Sequence, residues 1–317
     1  MMEKKAYFFI DDVIWCLRDI ARTKPASIFD VPFLGMLKRV HDAYDLTVQL
    51  NLFYRTDFFY GSDEFTLAEV PDTYKAEWAA NADWLKLAFH AKQEFPDYPY
   101  VNADYDDVKK DCEAVLNEIR RFAGEQTISY AVVPHWLPIS KDGCRALADC
   151  GIKVIAPSVG ERVEYDGDPD SLPYGHSFRL LQNRKPETML FTRGGKNKAI
   201  AKSISAYNHI STEQYKATFG TFKSVKDALT GVWFKNVGGG PTINLHKLEE
   251  IRPVYEKRNG DAFIGTGTHE QYFYPDYYAY QPDTEEKYME MAKTMRELGY
   301  TYITADTLIE KLEEYKG

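Results

Sequence analysis

The chain has 317 residues, 44% of them hydrophobic and 15% aromatic, with 23 Tyr and 18 Phe. That length suits one large domain or two average ones, with enough apolar side chains for a substantial core. A net charge of -9 makes the surface repel phosphate backbones, so nucleic acid is excluded as an expected partner. No apolar run of about 18 residues occurs, which argues against a transmembrane helix, and no membrane partner is expected.

In chain order, the first predicted element is a buried strand, Lys5 to Ile10 (KAYFFI), which ends abruptly in Asp11 and Asp12. The apolar run Ala6 to Ile10 reaches Asp11 too soon for a signal peptide, so a cytoplasmic location is expected. Pro32 opens a helical pattern through Phe33, Leu37, Val40 and Tyr44. Leu46 to Phe53 alternates as a second strand, Tyr74 to Asn81 reads as helix, and Leu85 to Phe89 is a third strand, ending at His90. A helix from about Asp104 carries Val108, Cys112, Val115, Ile119 and Phe122 on one face and stops at Gly124. Thr127 to Val133 is the fourth strand, Ser140 caps a helix to Cys150, and Ile152 to Ala156 is the fifth strand.

Residues 157–235 break this rhythm with many Gly, Pro and charged residues, and read as an insertion decorating the mouth of the fold. The pattern resumes with a helix at Leu245 to Lys257, a strand at Ala262 to Gly265, and a helix from Asp283, which forms a capping-box pair with Glu286. A strand at Tyr300 to Ile303 and a terminal helix follow. Strands alternating with helices predict βα units and a parallel sheet, hence one α/β barrel domain over 1–317. The four cysteines (Cys16, Cys112, Cys144 and Cys150) form no CxxC pair and are expected as core thiols.

The chemistry-bearing residues stand at strand ends, where barrel enzymes keep their sites. These are Asp11 and Asp12, His90, His135, and His269 with Glu270. Carboxylates with imidazoles form the ligand set of zinc and similar divalent ions. Neighbouring strand residues point to opposite faces, but at a strand end the second can turn toward the mouth. One Asp can then ligate a metal while the other takes a proton. His90 and Glu94 lie four residues apart and would share a helix face, so both could reach one metal. His135 sits between prolines, with Trp136 beside it as a wall for a sugar ring. His269 follows a Gly-rich strand whose glycines permit close backbone approach, and suits a general acid near neutral pH. Asn208 and His209, inside the insertion, are expected to line the substrate cleft. No P-loop, GxSxG or GxGxxG motif occurs.

The order of FIDD at the first strand, an H-x-x-x segment at the third, and a late strand-end His resembles the polysaccharide deacetylase superfamily, carbohydrate esterase family four and its relatives. The resemblance implies a distorted (β/α)7 TIM-like barrel with a large insertion, and a divalent metal, zinc above all. It makes Asp11 the catalytic base and Asp12 a metal ligand. The family's H-x-x-x-H segment falls on His90 to Glu94, so glutamate stands in place of the second histidine. The family's arginine segment falls on Val133 to Pro138, where His135 stands and the arginine is missing, so Asp12, His90 and either Glu94 or His135 would hold the metal. The late Leu-x-His matches Gly267-Thr268-His269 without the leucine, and implies His269 as general acid. The expected activity is a metal-dependent hydrolase removing acyl groups from an N-acetylated sugar or related substrate, with a small molecule or glycan as partner. Two alternatives stand beside it. One is a metal-independent glycoside hydrolase using Glu270 and one of the Asp pair. The other is a non-catalytic carbohydrate-binding relative. Oligomeric state is left open.

Overall fold

The structure, a computed structural model, describes residues 3–95, 99–100, 103–137, 139–156, 217–237 and 240–314, without the side chain of residue 60. Asn208 and His209 lie outside these residues.

Four long strands form the heart of the molecule: β1 (Lys5–Val13), β2 (Val48–Phe53), β3 (Leu85–Ala91) and β8 (Phe263–His269). They pair in parallel in the order β3-β2-β1-β8, and β9 (Thr301–Tyr302) pairs with the start of β1. Nearly every residue of the four is buried, as expected of parallel strands covered on both faces. A second sheet has the order β4-β5-β7-β6, with β4 (Ala131–Val132), β5 (Val154–Ile155), β6 (Val225–Lys226) and β7 (Trp233–Phe234). β6 is antiparallel to β7, and the other pairs are parallel.

Single bridges join the two sheets. Leu87 pairs with Ile128 on the β3 side, and Thr242 pairs with Gly267 of β8 on the other. The described strands thus follow one another as β8, β1, β2, β3, β4, β5, β7, and residues 240–242 lead back to β8 by that single bridge, without a continuous ladder closing the ring. This segment passes close over Gly265, where a side chain would obstruct it. A Cβ on Gly265 would stand 1.5 Å from the Val237 carbonyl oxygen, and one on Gly267 would strike the Phe9 ring at 2.5 Å. Both glycines serve close approach, the role expected of them.

Helices cover the outside: α1 (Trp15–Thr23), α2 (Pro32–Tyr44), α3 (Lys75–Ala80), α4 (Tyr105–Phe122), α5 (Lys141–Asp149), α6 (Leu248–Glu256), α7 (Thr284–Glu297) and α8 (Ala305–Glu314). α4 lies on α5 and β3, and α7 on α6 and α2. The expected α/β class and all seven expected strands are present, with α2 to α8 near their expected bounds.

There are three differences. α1 carries no start signal of its own and was not anticipated. Asp283 makes no cap bond at α7 and instead pairs with Lys287 at 3.0 Å. Residues 225–234, within the span read as insertion, supply β6 and β7 to the wall; residues 157–216 lie outside the described residues. Among the described residues, no helix is long and apolar enough to cross a membrane.

Candidate metal centre and active site

The Asp pair occupies the last turn of β1, where the β1–β2 register slips between Ile10 and Val13. Asp12 adopts the left-handed conformation, φ 61°, a costly state for a residue with a Cβ. The twist cancels the usual strand alternation, and both carboxylates reach the same imidazole. Asp12 Oδ1 lies 3.1 Å from His90 Nε2, and Asp11 Oδ1 lies 3.7 Å from His90 Nδ1.

Three donor atoms form a small triangle. His135 Nδ1 is 3.2 Å from Asp12 Oδ1 and 3.0 Å from His90 Nε2, and the third edge is the 3.1 Å Asp12–His90 contact. All three residues are buried. The far nitrogen of each imidazole is already committed. His90 Nδ1 donates to the Val133 carbonyl at 2.6 Å, and His135 Nε2 donates to the Glu94 carbonyl at 2.9 Å. A backbone carbonyl can only accept, so the proton of each neutral ring is drawn outward and its lone pair faces the triangle. Two nitrogen lone pairs and a carboxylate oxygen thus converge in a buried space.

Such a set demands positive charge. Around a tetrahedral ion with ligands at about 2.0–2.1 Å, ligand atoms stand about 3.3 Å apart, close to the observed edges. The residues present therefore fit a divalent metal. The same demand appears in the protonation preferences. Burial would lower the His90 pKa, but Asp11 and Asp12 outweigh it and raise it, whereas burial pushes His135 down. Burial would also raise Asp12, yet the two histidines hold it well below the usual carboxylate range. Asp11 behaves differently: burial pushes it up to about 7 against the pull of His90. It is the carboxylate of the pair poised to exchange a proton near neutrality.

His269 pairs with Asp11 in the β1–β8 register, and its Nδ1 lies 3.1 Å from Asn244 Oδ1, which holds the ring at the mouth. Its charge also reaches Asp12. Phe53 walls the triangle, with ring centroids 4.9 Å from His135 and 5.4 Å from His90. The half-buried Trp136 ring stands 5.9 Å from His135, and its backbone has φ 60°.

Two expected roles do not survive the geometry. Residues 92–95 are not helical, so His90 and Glu94 do not share a helix face. The group of convergent ligands is Asp12, His90 and His135, and Glu94 touches it through its main-chain carbonyl. Of the two side chains left open as the third ligand, Glu94 and His135, it is the histidine that joins Asp12 and His90. Glu270 is remote in purpose: its carboxylate accepts from the backbone N–H groups of Ile14, Trp15 and Cys16 at 2.7, 2.8 and 2.7 Å. It caps α1, whose N-cap residue Ile14 has no side chain for the task. A fully buried carboxylate with three such donors is a structural anchor, and it is not brought into the group of Asp11, Asp12, His90 and His135.

Two residues were missed by reading the sequence. Gln49 and Asn51 sit two apart on β2, inward and buried, and Asn51 Nδ2 donates to Asp11 Oδ1 at 2.6 Å. The visible signal was a pair of amides at strand period within the otherwise apolar VQLNLF.

No family model matches the chain, and no curated protein matches it. Solved structures do. A 4-alpha-glucanotransferase from Thermococcus litoralis is similar at TM-score 0.54 and 12% identity, over 100% of this chain and 41% of that one. Agd3, a carbohydrate deacetylase, is similar at TM-score 0.50 and 10% identity, over 99% of this chain and 54% of that one. A family 4 acetyl xylan esterase from Clostridium thermocellum, solved with a cobalt ion, gives TM-score 0.43 and 12% identity, over 97% and 91%. At such identities the likeness speaks to fold. This chain shares its fold with Agd3 and the glucanotransferase, in keeping with the α/β fold class that the FIDD and strand-end histidine motifs implied.

Proposed function

We propose that the protein is a metal-dependent hydrolase of the deacetylase kind, acting on an N-acetylated sugar or a related acylated small molecule or glycan. The observation that carries this reading is the triangle of Asp12, His90 and His135, whose lone pairs converge without a proton of their own to separate them. These three would hold a divalent ion, with zinc preferred by the two-imidazole, one-carboxylate set. Such an ion supplies Lewis acidity, polarising an acyl carbonyl and acidifying water. Asp11 takes the proton of the attacking water on its carboxylate. His269, steadied by Asn244, delivers a proton to the departing amine. Trp136 and Phe53 offer apolar ring faces beside the reacting atoms, and Asn208 and His209 of the 157–235 insertion belong to the same proposal as cleft residues. A single barrel domain, a cytoplasmic setting and the absence of nucleic-acid or membrane partners complete it.

The glycoside hydrolase alternative loses its second carboxylate, because Glu270 is held by the α1 amides. The non-catalytic alternative becomes an outcome of the test. Protein stripped with a chelator and dialysed against zinc should regain about one equivalent by elemental analysis and release acetate from acetylated chito- or xylo-oligosaccharides. Retention of zinc without acetate release would favour a binding protein. Failure to retain zinc would end the metal reading.

A further inference from the structure

Behind Asp11 lies a buried chain of polar side chains that the reaction as described does not use. Tyr7 and Ser129 both donate from their hydroxyls to Gln49 Oε1. Gln49 Nε2 donates to Asn51 Oδ1 at 2.6 Å and to the Ala131 carbonyl at 2.9 Å. Asn51 Nδ2 then donates to Asp11 Oδ1 at 2.6 Å. Tyr7, Gln49, Asn51, Ser129 and Asp11 are all buried, at 1%, 3%, 0%, 0% and 8% exposure. Gln49 makes all four bonds its amide allows.

The direction of this chain is fixed by one atom. The Ala131 carbonyl can only accept, so the NH2 of Gln49 must face it, and the second N–H of that group points to Asn51. Asn51 must then present its oxygen to Gln49 and its NH2 to Asp11. Reversing either amide would set oxygen against oxygen in a buried space.

We propose that Asn51, oriented by Gln49, is a positioning residue that clamps Asp11 by Oδ1 and thereby makes Oδ2 the oxygen that exchanges the proton. This rests on the reading of Asp11 as the base. The clamp is a neutral amide, anchored through Gln49 to the second sheet at Ala131. It fixes the carboxylate plane without placing a second full charge beside the metal ligands. A base misplaced by about 1 Å is expected to lose roughly 10²-fold in rate.

The test has two arms on the full-length protein. Crystal structures of the wild type and Asn51→Leu should show the Asp11 carboxylate turned or displaced by about 1 Å, with Asp12, His90 and His135 unmoved. An Asp11 that superimposes overturns the proposal. In the second arm, zinc-loaded Asn51→Leu should hydrolyse para-nitrophenyl acetate with kcat lowered roughly 10²-fold, at unchanged KM and zinc content. Gln49→Leu should lose less, and the double variant should lose no more than Asn51→Leu alone. Additive losses, or a change in KM alone, overturn the proposal. Asn51→Ala replaces Asn51→Leu in both arms if the larger side chain prevents folding. A wild type with no hydrolysis would sink the hydrolase reading, while the crystallographic arm still decides the positioning.

Discussion

The first sheet has four strands of six to nine residues besides the two-residue β9, and the second is built from strands of two. The candidate metal centre draws on both. Asp12 and His90 come from the long ladders, whereas His135 leaves a strand that pairs over only Ala131 and Val132. What steadies His135 is borrowed. Its backbone N–H donates to His90 O at 3.3 Å, and its ring donates to the Glu94 carbonyl, so the β3 segment holds it at both ends. A precise site therefore does not need precise strands throughout, provided the weaker wall is tied to the stronger one.

Three experiments can break or sharpen that contrast. The largest effect is expected from the ligands themselves. Asp12→Ala and His90→Ala should leave no zinc after gel filtration, by elemental analysis. His135→Ala should keep weak, exchangeable binding, because its loss leaves the rigid pair in place. Equal loss in all three variants would mean that the two walls contribute alike.

Next in size is Gly265→Ala, where the new methyl meets the Val237 main chain. The return of the second sheet onto β8 must shift, at a cost of roughly 3 kcal/mol in urea unfolding. A cost under about 1 kcal/mol would show that this junction yields easily.

The smallest effect is expected at Glu270→Gln, which keeps the shape but weakens the bonds to three amides. We expect roughly 2 kcal/mol of destabilisation with zinc content unchanged. Burial pushes this carboxyl from 4.5 up to about 7, against the pull of the Ile14, Cys16 and Trp15 amides. The folded state therefore binds its proton more tightly than the unfolded chain does. Wild-type stability should fall as pH rises from 4.5 to 7, a slope missing from Glu270→Gln. Identical slopes in urea titrations at several pH values would place the pH dependence elsewhere.

Much of the long-strand region was legible in the sequence because its signals are local. KAYFFI ending in two aspartates announces a buried strand at a functional face, and the helix from Asp104 shows its apolar stripe over five positions. The short-strand region was legible only in part. Two-residue strands such as Val225–Lys226 and Trp233–Phe234 are too brief for a period to appear, and they are set by the neighbours they meet. Glu94 misled because four-residue spacing implies a shared face only on a helix, and β3 gives way there to irregular chain. Glu270 misled for a different reason. A carboxylate beside a strand-end histidine looks catalytic, and nothing nearby shows that its partners lie some 255 residues earlier. Asn51 was overlooked because the alternation of β2 was read for its apolar half, while the polar half carried the contact to Asp11.

The same distant cap bears on the order of assembly. α1 begins with no side-chain cap and no acidic residue in its first turn, and its first amides are satisfied by a residue that follows β8. Short helices are marginal by themselves. This one gains its missing partner only when Glu270 has met Ile14, Trp15 and Cys16, a contact of very long sequence separation. α1 should therefore be among the last helices to acquire hydrogen-exchange protection during refolding, and its arrival would mark the moment at which β8 and β1, with its two aspartates, stand in place.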